Sequence, residues 1–567
     1  MRIEPQHRNI SGWAIHNPVA TTVIFLLLTV AGLFSYPMLR INNTPDLDLP
    51  AVVVSVLQAG AAPTEMESQV TRRVEDAVSG LGQVKTIRST IVDGSSTTII
   101  EFILGTNIDR ASTDVRDAVG RIRSELPAGI RDPVVTRVEA TGGAIVTFTV
   151  ASPQMTVPEL SWLVDDTIAK AMLAVPGVAQ VNRVGGVNRE IRVALRPDRL
   201  LALGITANQV NAQIREQNIN LPGGRGTVGT GEQAIRTLGS AATIEELRDR
   251  SIILPSGRSA RLGELAEVED GTAEVRTAAR LDGRPVVGFE ILRTRGSSEV
   301  RVAEQVMARA QSLMGELPGV EITPISTTAT FVLAGYHAAI EALIVGSVLA
   351  MLVVYLFLRD WRATIMASLA MPLSLIPTFF VMQWLGFSLN NVTLLGLTLV
   401  VGVLVDDAIV EIENTVRHIR QTPGISVFRA SLDASAEIGL AVVATTATIL
   451  AVFVPVAFMP GIPGQFFRQF GLTVAAAVVF SLVVARLLTP LLGAYFLKPQ
   501  QGEPPPEGAV GRWYGATLRW CLRHKVMTIL GGVAFFAFSL SLIPLLSRDF
   551  VPGADRGRIS LAIELPP

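Results

Sequence analysis

Two adjacent carboxylates inside an apolar stretch, Asp406 and Asp407 of VTLLGLTLVVGVLVDDAIVEI (392–412), are the side chains here best placed to do chemistry. The stretch is long and apolar enough to cross a bilayer. At ~1.5 Å rise per residue, the pair lies about 21 Å along a helix begun at Val392. That is roughly two-thirds of the way through a hydrocarbon core of ~30 Å. An ionised Asp near the bilayer centre costs about 2.5–3.5 kcal/mol even on the lenient insertion scale, so an adjacent pair is costly. A carboxyl that is neutral when dry and charged when wetted is suited to carrying protons. The competing reading is a pair satisfied by hydroxyls or a basic residue, for packing alone. Intramembrane ionisable residues are functional candidates by default.

Three further charges fall in or near apolar runs: Glu411, Glu341 and Arg486. Glu411 follows Asp407 by one helical turn and shares its face. It is also closer to the end of the run, where a wetted helix end is the alternative. Glu341 sits near the outer end of its run, where a part in relaying protons competes with a plain interfacial position. Arg486 lies at about the depth of the aspartates if both runs start at the same surface. It is expected either to pair with Asp406 or Asp407 or to snorkel to the interface.

Other chemistries find no support. His7, His16, His337, His418 and His524 are scattered, without metal-ligand spacing. Cys521 is the only cysteine, which excludes an intrachain disulfide and sets no redox compartment. No Gly-x-Ser-x-Gly elbow and no Walker A pattern occur, so an enzyme reading has nothing specific to rest on and ATP is not the expected energy source. LPGGRGTVGTGEQ (221–233) is glycine-rich, but no Gly-Lys-[Ser/Thr] follows, and it reads as a flexible arm.

The elements that must position these residues follow from composition. With 49% hydrophobic and 17% charged residues, the chain reads as a membrane protein with a large soluble portion. A net charge of −1 gives no electrostatic case for nucleic acid. Seven apolar runs stand out: 19–37, 338–358, 365–385, 392–412, 438–458, 471–497 and 526–546. The first is too long for a signal h-region and lacks a small-x-small cleavage site, so it reads as an uncleaved span. Arg2 and Arg8, Arg359 and Arg362, Arg417, Arg420 and Arg429, and the basic residues after span six all fall on one side if the amino terminus is cytoplasmic. The connectors 386–391 and 459–469 then face outside.

Residues 39–337 would accordingly lie outside the cytoplasm. Their first third alternates strand 52–58, helix 64–79, strand 84–91, strand 97–104, helix 109–125 and strand 134–138, the β-α-β-β-α-β split unit. A second copy begins with strand 145–151, helix 157–174 and strands 178–184 and 190–195. It resumes at strand 285–292, helix 299–317 and strand 320–325, leaving 197–272 as an insertion with its own small fold. RWYGATLRWCLRHK (512–525) suits an amphipathic helix on the cytoplasmic leaflet.

An internal repeat recurs at an offset of 507 residues: Pro37, Pro45 and Asp48 against Pro544, Pro552 and Asp555. Val52, Val54 and Val56 correspond to Ile559, Leu561 and Ile563, so the complete protein is expected to be about twice the repeat length, and repeats are a recurring transporter feature.

GLTLVVGVLVDDAIVEIEN resembles the fourth-helix motif of resistance–nodulation–division (RND) transporters. YLFLRDWRATIMASLAMPLSLIPTF, PDLDLP and GGVNREIRVALRPDRLLALGIT are similar to further family segments. The adjacent aspartates resemble the hydrophobe–amphiphile, or multidrug, branch. The resemblance implies the amino-terminal half of a proton/drug antiporter with about twelve spans, multi-pass in the inner membrane of a Gram-negative bacterium. It would be driven by the proton gradient without a cofactor, and would export amphiphilic compounds. The protein would form a homotrimer, joined to a periplasmic membrane-fusion adaptor and an outer-membrane channel.

The implied fold is a polytopic α-helical membrane protein with a periplasmic α+β portion of ferredoxin-like subdomains. After the first helix (1–38) would come a first porter subdomain (39–138) and a second in two parts (139–196 and 273–337). The latter is split by a docking insertion (197–272) whose arm reaches a neighbouring protomer. Spans two to six (338–497), a cytoplasmic linker and amphipathic helix (498–525), span seven (526–546) and the start of a second periplasmic portion (547–567) would complete the chain. Asp406 and Asp407 match the family's proton-relay pair, which works with a lysine on a tenth span. Gly396 and Gly402 would let neighbouring helices approach. A metal or lipid exporter of the same family is the nearest alternative, although Met66, Met155, Met172, Met307 and Met314 form no evident cluster. A non-transporting translocation or adaptor subunit is another, and predicts that proton coupling is dispensable.

Overall fold

The computed structural model describes residues 9–47, 50–58, 60–127, 129–138, 143–228, 231–237, 239–275, 277–422, 424–498 and 509–545, with positions 559, 561 and 563. Among the described residues, seven helices are long and apolar enough to cross a membrane: Pro18–Met38, Thr328–Leu358, Trp361–Trp384, Asn391–Gln421, Val427–Val456, Gly461–Phe496 and Lys525–Leu545. They are called spans one to seven below. Span four is central, packing against spans two, three, five and six.

Several spans overrun the apolar runs that announce them. Span two starts ten residues early, because strand Glu321–Thr327 runs straight into the helix, with the Thr327 hydroxyl accepting from the Ala329 N–H at 3.2 Å. Span four continues in polar sequence to Gln421, and span five starts at Val427 under a Ser426 cap. Spans one and three cross closely: a Cβ on Gly32 would lie 2.1 Å from the Ile376 carbonyl oxygen. Only glycine fits there.

Outside the bundle, the first unit is a four-stranded antiparallel sheet ordered 84–92, 95–102, 51–57, 134–137. Alternation along Ala51–Leu57 buries Val52, Val54 and Val56 against two helical segments. One contributes Met66, Val70, Val74 and Val78 at i, i+4 spacing, the other Ala111, Val115, Ala118 and Val119. The second unit has the same order: 178–184, 284–293, 146–151, 321–327. Its core stacks Phe148 on Phe289, with ring centroids 5.0 Å apart.

One strand goes elsewhere than its alternation suggests. Arg189–Leu195 does not join the second unit's sheet; it forms an antiparallel ladder with Ala266–Thr272, so the insertion begins before residue 197. The ladder is reinforced by Arg189, whose guanidinium reaches both Asp270 oxygens at 2.8 Å. The glycine-rich arm is an antiparallel hairpin, Leu221–Val228 with Gly231–Thr237, rather than featureless chain.

Residues 40–46 form a junction. Arg40–Ile41 pairs in parallel with Ser388–Leu389 at the start of span four. Arg293, almost fully buried, donates to Asp46 Oδ1 at 2.6 Å, and the Gly296 N–H donates to Asp46 Oδ2 at 3.1 Å. Buried Glu299 accepts from the Asn43 N–H at 3.1 Å and from the Thr328 hydroxyl at the head of span two. Backbone N–H groups of Asn43 and Gly296 are satisfied here by side chains of distant segments.

Helix Ala509–Arg523 precedes span seven. The repeat has a structural counterpart: Pro37 and Pro544 each lie in a short 3₁₀ turn closing an apolar helix, Tyr36–Met38 and Ile543–Leu545. Asp48, Pro552 and Asp555 lie outside the described residues.

Candidate functional site

Span four is fixed at its start by Asn390. The Asn390 side-chain oxygen accepts from the N–H groups of Val392 and Thr393 at 3.0 and 3.1 Å, and its amide donates to Gln469 of span six at 2.8 Å. That satisfies two orphan donors of the helix and sets its depth against span six. Leu397, Val400, Leu404, Ala408 and Ile412 are buried and fix the rotation. Asp407 is thereby half-buried toward span five, where the Thr446 hydroxyl lies 3.4 Å from its Oδ2. Asp406 is exposed on the described surface. Neither aspartate has an ion-pair partner among the described residues.

One turn further, Glu411 is 1% exposed and meets Arg486 of span six, Oε2 to Nη1 at 3.5 Å. Arg486 also donates to the Ser435 carbonyl at 3.0 Å. The partner is Glu411, so the expected pairing of Arg486 with Asp406 or Asp407 is not what the geometry gives, and nor is snorkelling. Glu411 is likewise not a wetted helix end. The cause is local. Pro490 has no N–H to offer the Arg486 carbonyl, and its ring would crowd that oxygen in a regular helix. The chain answers with a π turn, Val484–Leu488, which turns the Arg486 side chain relative to a continuous α-helix. Room for the guanidinium comes from Gly439: a Cβ there would stand 2.7 Å from Arg486 Nη2.

Toward the end of span four, Asn414 donates to the Ala434 carbonyl at 3.0 Å and to Glu437 at 3.2 Å. Glu437 also takes Arg417 at 2.8 Å and His418 Nε2 at 2.7 Å. Glu341 is exposed on span two and joins none of these groups. Gly396 does allow close approach, since a Cβ would lie 3.1 Å from Phe470 and Val474; Gly402 faces open space among the described residues. Thr446, Ser435 and Gly439 were not singled out in the sequence. Their signal is a run of small residues at 431, 435 and 439, one face of span five, followed by hydroxyls at 445, 446 and 448.

The described residues thus hold seven helices apolar enough to cross a membrane, a large α+β portion beside them and carboxylates within the helix bundle. A family model described as the AcrB/AcrD/AcrF family matches residues 10–567, and the chain belongs to that family of RND transporters. It is similar to multidrug resistance protein MdtC of Pectobacterium atrosepticum, 31% identical over 558 residues, 96% of this chain and 54% of that protein. The proteins of the same name from Yersinia enterocolitica and Klebsiella pneumoniae are each 30% identical, over 557 and 553 residues, with the same coverage. The chain spans about half the length of the curated relatives it matches.

Proposed function

We propose that the complete protein is a proton-driven efflux permease that exports amphiphilic compounds, with Asp406 and Asp407 as its proton relay. The observation that carries this reading is the setting of Asp407: half-buried on the central helix, facing the Thr445 and Thr446 hydroxyls, with no counter-ion among the described residues. Such a carboxyl is at ease protonated when the site is dry and ionised when it is wetted or met by a cation, which is the property a relay needs. In the family pattern the cation is a lysine on the tenth span. MdtC relatives named for multidrug resistance support amphiphilic substrates.

In this reading the protein has about twelve spans, its amino terminus is cytoplasmic, and it sits in the inner membrane of a Gram-negative bacterium. The two units outside the bundle are ferredoxin-like porter subdomains, and the insertion is a docking subdomain whose hairpin reaches a neighbouring protomer. The assembly is a homotrimer working with a periplasmic adaptor and an outer-membrane channel, with the proton gradient as its energy source. Protonation of the pair shifts helix packing, and the porter units convert that shift into alternating access.

The test is efflux of a fluorescent amphiphile from cells expressing the complete gene, wild type against Asp407→Asn at matched levels. Loss of efflux with normal assembly and substrate binding supports the relay. Wild-type efflux from the Asp406→Asn/Asp407→Asn double variant sinks it.

A further inference from the structure

Asp407, Glu411, Asn414 and His418 recur at i, i+4, i+7 and i+11, the spacing of a single helix face. The structure shows that face turned toward span five over its whole length. Asp407 meets Thr446; Glu411 lies beside Ser435; Asn414 and His418 meet Glu437. A polar stripe therefore leads from the aspartate pair to the end of the helix, through a bundle whose other contacts are largely apolar.

Glu411 is the singular member. Its carboxyl is buried, and among the described residues its hydroxyl neighbour is Ser435, set too loosely for a well-formed hydrogen bond. The Ser435 hydroxyl is itself buried. A structural ion pair of this depth is normally saturated with hydrogen bonds, because desolvating two charges is otherwise too costly. Here one cation at 3.5 Å and a loosely placed Ser435 hydroxyl face the carboxyl, and that cation is delivered by a π turn, a device common at functional sites.

We propose that this stripe is the exit by which protons leave the relay toward the cytoplasm, with Glu411 as a third proton-carrying carboxyl and Arg486 as its counter-charge. The inference rests on the antiport reading above and on its orientation. In the step, the O–H bond of protonated Asp407 breaks and an O–H bond forms on the Glu411 carboxylate. Asp407 is left ionised, while Arg486 keeps its proton and its positive charge. Glu411 then releases the proton past Asn414 to the Glu437–His418 pair and to water. The charged and titratable groups around Glu411 are Asp407 on its own helix, Arg486 on span six, and Glu437, Arg417 and His418 at the stripe's end. Helix Ile10–His16 also packs on the π turn, but its His16 ring lies against Phe428.

The experiment uses the complete protein in proteoliposomes, with an imposed pH gradient, an internal pH dye and a fluorescent amphiphile. Glu411→Gln/Arg486→Gln removes both charges together, so no lone buried ion remains. With assembly and substrate binding intact, its proton release and coupled transport should fall about tenfold or more, as loss of a proton-transfer group does. Asp407→Asn is run alongside. If Asp407→Asn is inactive but the double variant keeps the wild-type rate and pH profile, the exit falls and the relay stands. If Asp407→Asn still transports and Asp406→Asn/Asp407→Asn does too, the antiport reading falls and takes the exit with it. Should the double variant not assemble, Glu411→Asp decides. A displaced pH profile is expected of a proton carrier, whereas an unchanged profile would assign Glu411 to packing and overturn the proposal.

Discussion

Arg293 and Asp46 are 247 positions apart in the chain, yet a guanidinium N–H of the first donates to the carboxylate of the second at 2.6 Å. The pair fastens the segment after span one to the second extramembrane unit, next to the strand that joins this segment to the head of span four. Membrane bundle and outer unit thus share a hydrogen-bonded seam rather than a loose tether.

Asp46→Ala should leave Arg293 charged and buried without its partner. Removing one member of a buried pair costs about 3–5 kcal/mol, and Asp46 is partly exposed, which places this case at the low end or below. The expected result is faster hydrogen exchange confined to 40–46 and 284–299. Unchanged exchange there would show the seam to be idle.

Pro490→Ala restores the missing N–H and removes the crowding that the π turn accommodates. The turn should tighten to regular helix and swing Arg486 away from Glu411. A cysteine-pair or spin-label distance between spans four and six reports the change. Gly439→Ala should disturb the same contact from the other side, since its methyl would collide with the guanidinium.

Gly32→Leu should force spans one and three apart, because even a Cβ at Gly32 would meet the Ile376 carbonyl at 2.1 Å. Overpacking of this kind typically costs about 1–3 kcal/mol, and more when the obstacle is backbone. Lower thermal stability in detergent is the expected readout, with Thr29→Ala on the same helix as a comparison.

The insertion should loosen in acid. Arg189 holds the Asp270 carboxyl below the usual carboxylate range, chiefly through its hydrogen bonds. A folded value below the unfolded one means the contribution is complete at neutral pH and is lost as pH falls below about 4 and through the folded value. Both groups are exposed, so the effect is small. Amide exchange in 189–195 and 266–272 should rise on acidification, and Asp270→Asn should flatten that dependence.

Much of the fold was legible. Seven apolar runs mark seven helices, because lipid-facing and buried faces are both apolar and leave a signal no loop imitates. Their ends were not legible: 413–421 and 427–437 are helical but polar, and hydropathy falls silent where a helix leaves the membrane. EIRVAL (190–195) alternates equally well for either of two sheets, since period-two patterning names a face and not a partner. The site divided in the same way. Depth along span six could be read from residue counting, and it placed Arg486 level with the aspartates. Direction could not. A π turn rotates the rest of its helix by about one residue's angle, roughly 100°, so azimuth depended on Pro490 and on space left by Gly439.

Strand Glu321–Thr327 and helix Thr328–Leu358 join without an intervening residue. The helix has 31 residues, so it is a rod about 46 Å long at ~1.5 Å per residue. A tilt of about 5° at one end displaces the other by about 4 Å, close to the spacing between adjacent strands. Because the rod's tip is itself an edge strand, that displacement reaches the sheet undiminished. Span two is built like a lever arm: any tilt of its far end would be carried into the sheet at its tip.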